Sequence, residues 1–280
     1  MSSLIQTASR GHLLPLGKTL TTLREVLFSG YNLNCTNFLI MRSICSKELG
    51  RFFSNLTGYI AIILFMLICG IFLFILPDSS ILDNNYASLD KFFELAPWVL
   101  LFLVPAISMH SFSEEFKTGT FELLKTKPLT SAQIVIGKYA ALLLVLLFTI
   151  IPTFIYVVTV KSLSASGQID FGGIGGSYLG LFMLGAVFAA ISICCSSFTN
   201  NSVVAFLVSG FVCLLIYFGF NALSRLPFFA GNADYYIEQA GIDFHYRSIS
   251  RGVLDSRDIV YFCSLILLAL LITINNIRRK

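Results

Sequence analysis

The stretch HSFSEEFKTGTFELLKTKPLTSAQ (His110–Gln133) lies between two long apolar runs, and the rest of the chain is best understood from it. Six of the 14 residues from Glu114 to Lys127 are charged. By contrast, the flanking runs Leu95–Ser113 and Tyr139–Val160 contain no Asp, Glu, Lys or Arg. A bilayer crossing needs about 20 mostly apolar residues. The pattern therefore predicts a charged loop between two membrane-spanning helices.

The composition of the whole chain indicates that lipid is its main solvent. Of its 280 residues, 56 % are hydrophobic and only 12 % are charged, whereas about a quarter of the residues in a soluble domain are charged. Three further runs lack charged residues: Phe52–Pro77, Phe171–Ser224 and Ile259–Ile277. The second of these is long enough for two crossings, which the polar SSFTNNS (Ser196–Ser202) would separate. We therefore predict an all-α membrane protein with six transmembrane helices, at roughly 57–76, 93–110, 134–160, 173–196, 202–221 and 258–277.

The distribution of Lys and Arg predicts the orientation of these helices. With the N-terminus inside, the inner segments hold ten basic and four acidic residues, and the outer segments hold six basic and ten acidic residues. Cytoplasmic loops are enriched in Lys and Arg. We therefore expect both termini to face the cytoplasm.

Residues 1–40 differ from the rest because they are rich in Ser and Thr and contain a single acidic residue, Glu25. This composition superficially resembles a transit peptide. The interpretation that we favour is that Met41 is the natural start and that residues 1–40 are a leader, either non-native or disordered. Within the leader, GHLLPLGKT (Gly11–Thr19) has five residues between its glycines, where a phosphate-binding loop needs four. We expect no ATP to bind there.

The charge-free runs contain few residues that could catalyse a reaction or bind a metal. Proton-coupled transporters use ionisable groups within the membrane, and the charge-free runs supply none. His110 stands alone near the inner end of the second span, and His245 falls in a predicted outer loop. The seven cysteines avoid the predicted outer loops, where an oxidising compartment could join them. We therefore expect no enzymatic activity, cofactor, metal site or disulfide framework, and a driving force from another subunit.

The charged loop has the helix-start signals of a stiff elbow. Ser111 with Glu114, and Thr130 with Gln133, match the capping box S/T-x-x-E/Q. The first pair predicts a short helix that restarts as the chain leaves the membrane, and the second predicts the start of the third span. Such an elbow can transmit force, which a flexible tether cannot.

Between these two signals, Gly119 is expected to interrupt the helix, and Pro128 is expected to end it. Apolar residues alternate there with charges of both signs, which is typical of a helix that lies in the membrane interface or docks in a protein groove. The apolar residues are Phe116, Phe121, Leu123 and Leu124.

Four segments resemble one known family. EEFKTGTFELLKTKPLTSAQIVIGK (Glu114–Lys138) resembles the E-x-x-x-G-T-x-E-x-L-L-x-x-P segment of ABC-2 type transporter permeases, the membrane subunits of ATP-driven exporters. KELGRFFSNLTGYI (Lys47–Ile60) is similar to the amphipathic lead-in before the family's first span. GGSYLGLFMLGAVFAAISICCSSFTNNSVVAF (Gly175–Phe206) is similar to its fourth span, and HYRSISRGVLDSRDIVYF (His245–Phe262) to the segment before its last span. The most similar subgroup is the gliding-motility-associated permease.

The resemblance implies a division of labour between subunits. Residues 41–56 would form a cytoplasmic lead-in helix, and residues 57–280 a six-span permease domain in the bacterial inner membrane. A separate ATPase would bind ATP and Mg²⁺, and a second permease, identical or related, would complete the transporter. Short helices before the last span would lie in the outer leaflet. The positions that would contact the ATPase are Glu114, Glu115, Lys117, Gly119, Thr120, Glu122, Leu124 and Pro128.

Two further features concern the helices themselves. Gly172, Gly176 and Gly180 recur every four residues, and small residues at this spacing let helix backbones approach closely in lipid. Packing within one bundle and a dimer- or pathway-lining face both fit this spacing. Pro152 removes a backbone hydrogen bond from the third span and is a candidate hinge. Asp255 or Ser256 is expected to cap the last span.

Two functions follow from these observations. The chain is either a transport subunit that an ATPase drives through the elbow, or a membrane anchor that recruits a cytoplasmic protein without moving anything. The stiff elbow favours transport, because an anchor does not require it. The sequence specifies neither the substrate nor the direction, although the lack of a charged cavity wall favours a lipid-like or polymeric cargo.

Overall fold

The computed structural model of the chain describes residues 41–76, 89–125, 129–163, 171–225, 232–253 and 255–280. The predicted leader, residues 1–40, lies outside the described residues. Described residues from Ile44 onward belong to one compact unit, Ile44–Lys280. Within the described ranges the secondary structure is entirely helical. The helices are α1 Met41–Ser54, α2 Leu56–Phe74, α3 Asp90–Ser108, α4 His110–Thr118, α5 Thr120–Lys125, α6 Ser131–Ile150, α7 Phe154–Leu163, α8 Phe171–Phe198, α9 Ser202–Ser224, α10 Asn232–Gln239, α11 Ile242–Ser250 and α12 Ser256–Arg279.

The described helices account for the predicted spans. Five are long and apolar enough to cross a membrane: Asp90–Thr118, Ser131–Leu163, Gly172–Phe198, Ser202–Ser224 and Ser256–Arg279. A sixth is present if the bent pair Met41–Ser54 and Gly58–Phe74, which meets at 70°, counts as one span. Lipid offers no water to backbone groups, so continuous helices are the favoured way for such segments to cross it. The chain is an all-α membrane protein, as the sequence predicted.

Helix α8 lies at the centre of the bundle. In its most apolar 18-residue stretch 72 % of the residues are buried, against 22 % for α9 and 28 % for α12. It packs against α3, α6, α9, α11 and α12, and one of its faces, from Leu181 to Ile193, is almost completely enclosed. The outer faces of α9 and α12 remain apolar and exposed, so they are available to lipid or to another subunit.

Helix α3 lacks one backbone hydrogen bond, and a side chain from a neighbouring helix replaces it. Pro97 lies inside α3 and has no N–H to donate to the carbonyl of Phe93, four residues earlier. The hydroxyl of Tyr246, from α11, donates to that carbonyl at 2.7 Å. Burial raises the pKa of Tyr246 well above its usual value, which keeps the hydroxyl protonated as a donor. This bond fixes α11 to the first half of α3.

The short helices predicted before the last span are present as α10 and α11. His245 lies buried on α11, whose mixed aromatic and polar sequence forms an amphipathic helix. The predicted cap is confirmed for Asp255, whose side chain accepts from the Arg257 N–H at 3.0 Å.

Candidate functional site

The charged loop of the sequence forms a bent extension of the second span, which we call the elbow (His110–Lys125). α4 continues α3 with a single break at Met109, so that helix runs from Asp90 to Thr118. Gly119 then adopts a left-handed conformation with φ 69°, which an L side chain rarely tolerates. α5 starts directly afterwards at Thr120. The predicted interruption at Gly119 is confirmed.

The start of α4 is stabilised differently from the prediction. No side-chain cap is present there, and the residue before α4, Met109, is itself helical, so the predicted capping box of Ser111 and Glu114 is wrong. Ser196 of α8 takes this role instead. Its hydroxyl oxygen accepts from the N–H groups of Phe112 at 3.1 Å and Ser113 at 3.2 Å. One hydroxyl from the central helix thus satisfies two backbone donors at the root of the elbow.

The second capping box is confirmed at the start of α6. The Gln133 N–H donates to the Thr130 hydroxyl at 3.3 Å, and the Thr130 N–H donates to the Gln133 side chain at 2.9 Å. Only one of the two predicted boxes is therefore formed. The difference arises because the chain keeps a helical backbone at Met109, just before Ser111, whereas Thr130 has an extended backbone.

A buried ionic cluster joins the elbow to α1 and α6. The Lys138 ammonium lies 3.0 Å from Glu48 Oε1 and 2.9 Å from Glu115 Oε1, and it also donates to the carbonyl of Ser111. Its side chain is only 1 % exposed, and those of Glu48 and Glu115 are 14 % and 9 % exposed. We call Glu48, Glu115 and Lys138 the charge cluster. The expectation that the third span carries no charge is therefore wrong, since α6 begins at Ser131 and includes Lys138.

A second set of charges lies at the edge of this cluster. The Arg51 guanidinium donates to Glu114 Oε2, and His110 Nδ1 lies 3.4 Å from the same oxygen. These side chains are between a third and a half exposed, so water screens them and each pair adds little stability. Both sets nevertheless connect the same two elements, α1 and α4.

A cavity of about 420 Å³, a size within the range of small-molecule sites, opens between α1, α4 and α6. Its polar end is formed by Glu48, Arg51, His110, Glu114 and Lys138, and its other wall is apolar. The charged groups that line it are already bonded to one another. The cavity therefore has a charged end and an apolar wall.

Three phenylalanines of the elbow pack against one another. Phe112 stacks on Phe116 at 6.0 Å between ring centroids, and Phe121 of α5 meets Phe116 edge-on at 4.9 Å. The ammonium of Lys280 lies 3.8 Å from the centroid of the Phe116 ring, as in a cation–π contact, and donates to the carbonyl of Ser197 at 3.0 Å. Partial burial lowers the pKa of Lys280. The end of the chain thus meets the elbow and the end of α8.

The predicted contact residues divide into two groups. Glu114 and Glu115 turn inward to Arg51 and to the charge cluster. Four predicted positions are exposed: Lys117, Gly119, Thr120 and Glu122. Together with their exposed neighbours Thr118 and Leu123, which were not predicted, we call them the tip. Leu123 is 67 % exposed. The side chain of Leu124 and the whole of Pro128 lie outside the described residues.

The predicted glycines of α8 lie against the turn that follows α11. A Cβ atom on Gly176 would lie 3.2 Å from the Cα of Gly252, and one on Gly180 would lie 2.6 Å from a methyl carbon of Ile249. Gly252 itself has φ 82° and packs on Gly173. Gly172 lies in the first turn of α8. Gly176 therefore marks a close approach of two backbones within this chain, and Gly180 marks a close approach of α8 to the Ile249 side chain.

Pro152 lies in a short 3₁₀ turn, Ile151–Thr153, that divides the third span into α6 and α7. The proline cannot donate to the carbonyl four residues earlier, which accounts for the change of helix type there. Pro152 as a hinge stays a prediction.

A family model described as ABC-2 family transporter protein matches residues 83–237, which is more than half of the chain. The match covers the elbow, α6, α8 and α9. The chain belongs to the ABC-2 transporter family. No curated protein matches the chain. As a member of the ABC-2 family it is a multi-pass membrane component of a transporter, and the family implies an ATPase partner.

The residues that hold the root of the ABC-2 elbow, Lys138, Ser196 and Glu48, were not predicted from the sequence. Lys138 carried a usable signal, since a lysine flanked by Ile136, Gly137 and Tyr139 must find an acidic partner when buried. Ser196 carried none, because its partners are backbone N–H groups 83 and 84 residues away. Glu48 resembled any other charge on the lead-in helix.

Proposed function

We propose that this ABC-2 family chain is the permease subunit of an exporter, and that a separate ATPase drives it by pushing on the tip of the elbow. The observation that carries the proposal is the contrast between the two ends of the elbow. Its tip is exposed and carries charges beside Leu123, while its root is bonded to α1, α6 and α8. A displacement at the tip would therefore move the spans behind it.

The chemistry of the tip suits a protein partner. Lys117 and Glu122 offer opposite charges, and Leu123, next to Glu122, offers an apolar anchor. Protein interfaces combine a few apolar anchors with a polar surround. The inward position of Glu114 and Glu115 makes them positioning residues in this proposal, because their carboxylates hold the elbow and do not face outward.

The wider assembly is proposed on sequence grounds. The predicted inner segments together hold ten basic residues against four acidic ones, which supports a cytoplasmic position for the elbow and both termini in a bacterial inner membrane. The exposed apolar faces of α9 and α12 are available for a second permease, identical or related. The resemblance of Glu114–Lys138 and the other three segments to the gliding-motility-associated subgroup supports a role in gliding motility.

The test is to reconstitute the full chain with its co-encoded ATPase in lipid nanodiscs and to measure ATPase binding and turnover. Glu122→Lys and Leu123→Ala change the tip without touching the charge cluster. We expect each to weaken ATPase binding by about tenfold, or about 1.4 kcal/mol, with a parallel loss of stimulated turnover. Glu94→Lys is the control, because Glu94 is an exposed residue near the opposite end of the same continuous helix.

Two results would contradict the proposal. Tip variants that bind and turn over ATP like the wild type would show that the ATPase docks elsewhere. An ATPase that binds through the tip, yet hydrolyses ATP at the same rate with and without the chain, would favour the anchor instead. Equal losses in Glu94→Lys and the tip variants would indicate a general folding defect.

A further inference from the structure

A buried histidine–aspartate pair lies at the end of α8 remote from the elbow. His245 of α11 is 7 % exposed, and Asp258, in the first turn of α12, is 4 % exposed. Nδ1 of His245 lies 2.7 Å from Oδ1 of Asp258, and Nε2 lies 2.9 Å from the carbonyl oxygen of Gln239, the last residue of α10. One imidazole ring therefore joins the three helices that surround it.

Both ring nitrogens of His245 face oxygen atoms, and this determines how many protons the pair must hold. A carbonyl oxygen can only accept, so Nε2 of His245 must carry a hydrogen. In a neutral ring Nδ1 would then be a bare acceptor, facing a carboxylate oxygen at 2.7 Å. Two acceptors at that distance repel each other. A second proton between Nδ1 and Oδ1 removes the repulsion and converts the contact into a charge-assisted hydrogen bond.

We propose that His245 and Asp258 form a proton-binding site that is occupied when α10 and α11 are docked on α12. Loss of the proton leaves a neutral ring against a buried carboxylate and weakens this docking. Above the pKa of a free histidine, about 6.5, the docked arrangement holds one proton more than the separated one, so raising the pH favours separation. This inference does not depend on how the elbow is driven.

The described groups around the His245–Asp258 pair do not replace the shared proton as a hydrogen-bond donor to Asp258. Oδ2 of Asp258 is buried and has no hydrogen-bond partner among the described residues. The ring of Tyr261, on α12, stacks on the His245 ring at 4.0 Å, an arrangement that favours a cationic imidazole. Tyr261 in turn donates its hydroxyl to the carbonyl of Ala240 and holds the ring in place.

Other charged groups near the pair are already engaged or face a groove. On α11 itself, Asp243 is bonded to Arg247 at 2.6 Å and accepts from Asn221 of α9. From α8, the residues that approach α11 are small: Gly176, Ser177 and Gly180. From α3, the contact is the Phe93 carbonyl with Tyr246. The titratable or charged groups that share a groove with His245 are Tyr236 of α10, and Arg257 and Tyr261 of α12.

That groove gives the site a route for proton exchange. It has a volume of about 620 Å³, which is large enough for many water molecules, and His245 forms part of its wall together with Gln239 and Arg257. The ring is thus buried against its partners but borders an open recess on one side. A proton can be lost without unfolding the bundle.

The docking of α11 matters because the helix is bonded to the centre of the molecule. The Ser177 hydroxyl donates to the carbonyl of Ser250 at 2.7 Å, and Gly180 lies against Ile249. At 1.5 Å per residue, Ser177 is about 28 Å along α8 from Ser196, which caps the elbow. The proton site therefore lies near the end of α8 remote from the elbow, and α8 contacts both regions.

The test is amide hydrogen exchange of α10 and α11 in the full chain in nanodiscs, from about pH 5 to about pH 8, corrected for the intrinsic exchange rate. We expect protection in the wild type to fall as pH rises, by at most about tenfold per pH unit, which is the limit for one proton. Asp258→Asn should abolish this dependence and keep the helices protected. Its amide can donate to Nδ1 of a neutral ring whose Nε2–H still bonds Gln239.

The control is His110→Gln, an exposed histidine in the elbow, which should keep the wild-type pH dependence. Protection that stays constant with pH in the wild type, or a wild-type slope in Asp258→Asn, would overturn the proposal. If Asp258→Asn does not fold, ¹⁵N spectra of the histidine rings decide the matter in the wild type. Two protonated ring nitrogens in His245 are expected at the acidic end, and a neutral tautomer there would overturn the site.

Discussion

Replacing Lys138 with methionine removes the cation from the charge cluster but keeps a side chain of similar length. Glu48 and Glu115 then face each other with no positive charge between them, and Glu115 already has one buried oxygen without a hydrogen-bond partner in the described part of the chain. Removing one partner of a buried ion pair costs about 3–5 kcal/mol. For chains of this size each kcal/mol lowers the melting temperature by about 2–4 °C. We expect Lys138→Met to melt roughly 10 °C below the wild type.

The measurement is thermal unfolding of the full chain in one detergent, with tryptophan or thiol-probe fluorescence. Lys47→Met is the matched control, because Lys47 is 65 % exposed and lies 4.0 Å from Glu115. An exposed pair of that kind contributes about 1 kcal/mol or less. Adding Glu115→Gln to Lys138→Met should restore part of the loss, since it removes one of the two stranded carboxylates.

The reasoning would be refuted if Lys138→Met melted within about 2 °C of the wild type, a shift worth no more than an exposed pair. It would also be refuted if Lys47→Met were equally harmful. In the first case the cluster would not be desolvated, and in the second the loss would reflect net charge and not burial.

Two further predictions concern the contacts of α8 and use the same melting assay. Ser196→Ala removes the acceptor for two buried N–H groups and should cost about 1–2 kcal/mol, whereas Ser209→Ala, whose hydroxyl bonds within its own helix, should cost less. Gly180→Ala places a Cβ 2.6 Å from Ile249 and should cost about 1–3 kcal/mol. Gly175 lies on the same helix, and a Cβ there would meet nothing within 4 Å. Gly175→Ala should therefore be neutral or stabilise by up to about 1 kcal/mol.

The positions of the spans were predictable because lipid imposes a simple rule. A segment that crosses the bilayer must satisfy its backbone internally and carry few charges, so charge-free runs of sufficient length identify helices. The runs at Tyr139–Val160 and Ile259–Ile277 lie within the helices at Ser131–Leu163 and Ser256–Arg279. Local signals also held where the backbone was extended, as at Thr130 and Asp255.

The contacts that build the elbow were not predictable, because they join residues far apart in sequence. Lys138 and Glu48 are 90 residues apart, and Phe112 and Ser196 are 84 apart. A capping box at Ser111 had the right residue types, yet the helix continued through it because Ser196 supplied the acceptor from another element. Tertiary contacts decided both cases, and a single sequence does not record them.

Charges at the ends of the spans were the second source of error. Counting Asp, Glu, Lys and Arg within runs placed Lys138 and Asp258 just outside them, as ordinary loop charges. Both turned out to be buried, at 1 % and 4 % exposure, each beside an opposite or protonatable partner. An ionisable residue within one turn of an apolar run is therefore a candidate for a buried pair, because the helix extends beyond the charge-free run.

Helix α8 is the element on which the two proposals meet. Its 28 residues span about 42 Å, and its ends are held by contacts with little slack: Ser196 at the elbow, and Gly176 and Gly180 at α11. Contacts through a hydroxyl or a glycine leave little room for rearrangement, so we expect a displacement at either end to be transmitted along α8. A push on the tip and a change in the docking of α11 would then act on the same element. Because linkage is reciprocal, an ATPase that shifts α8 would also change how tightly the His245–Asp258 site holds its proton.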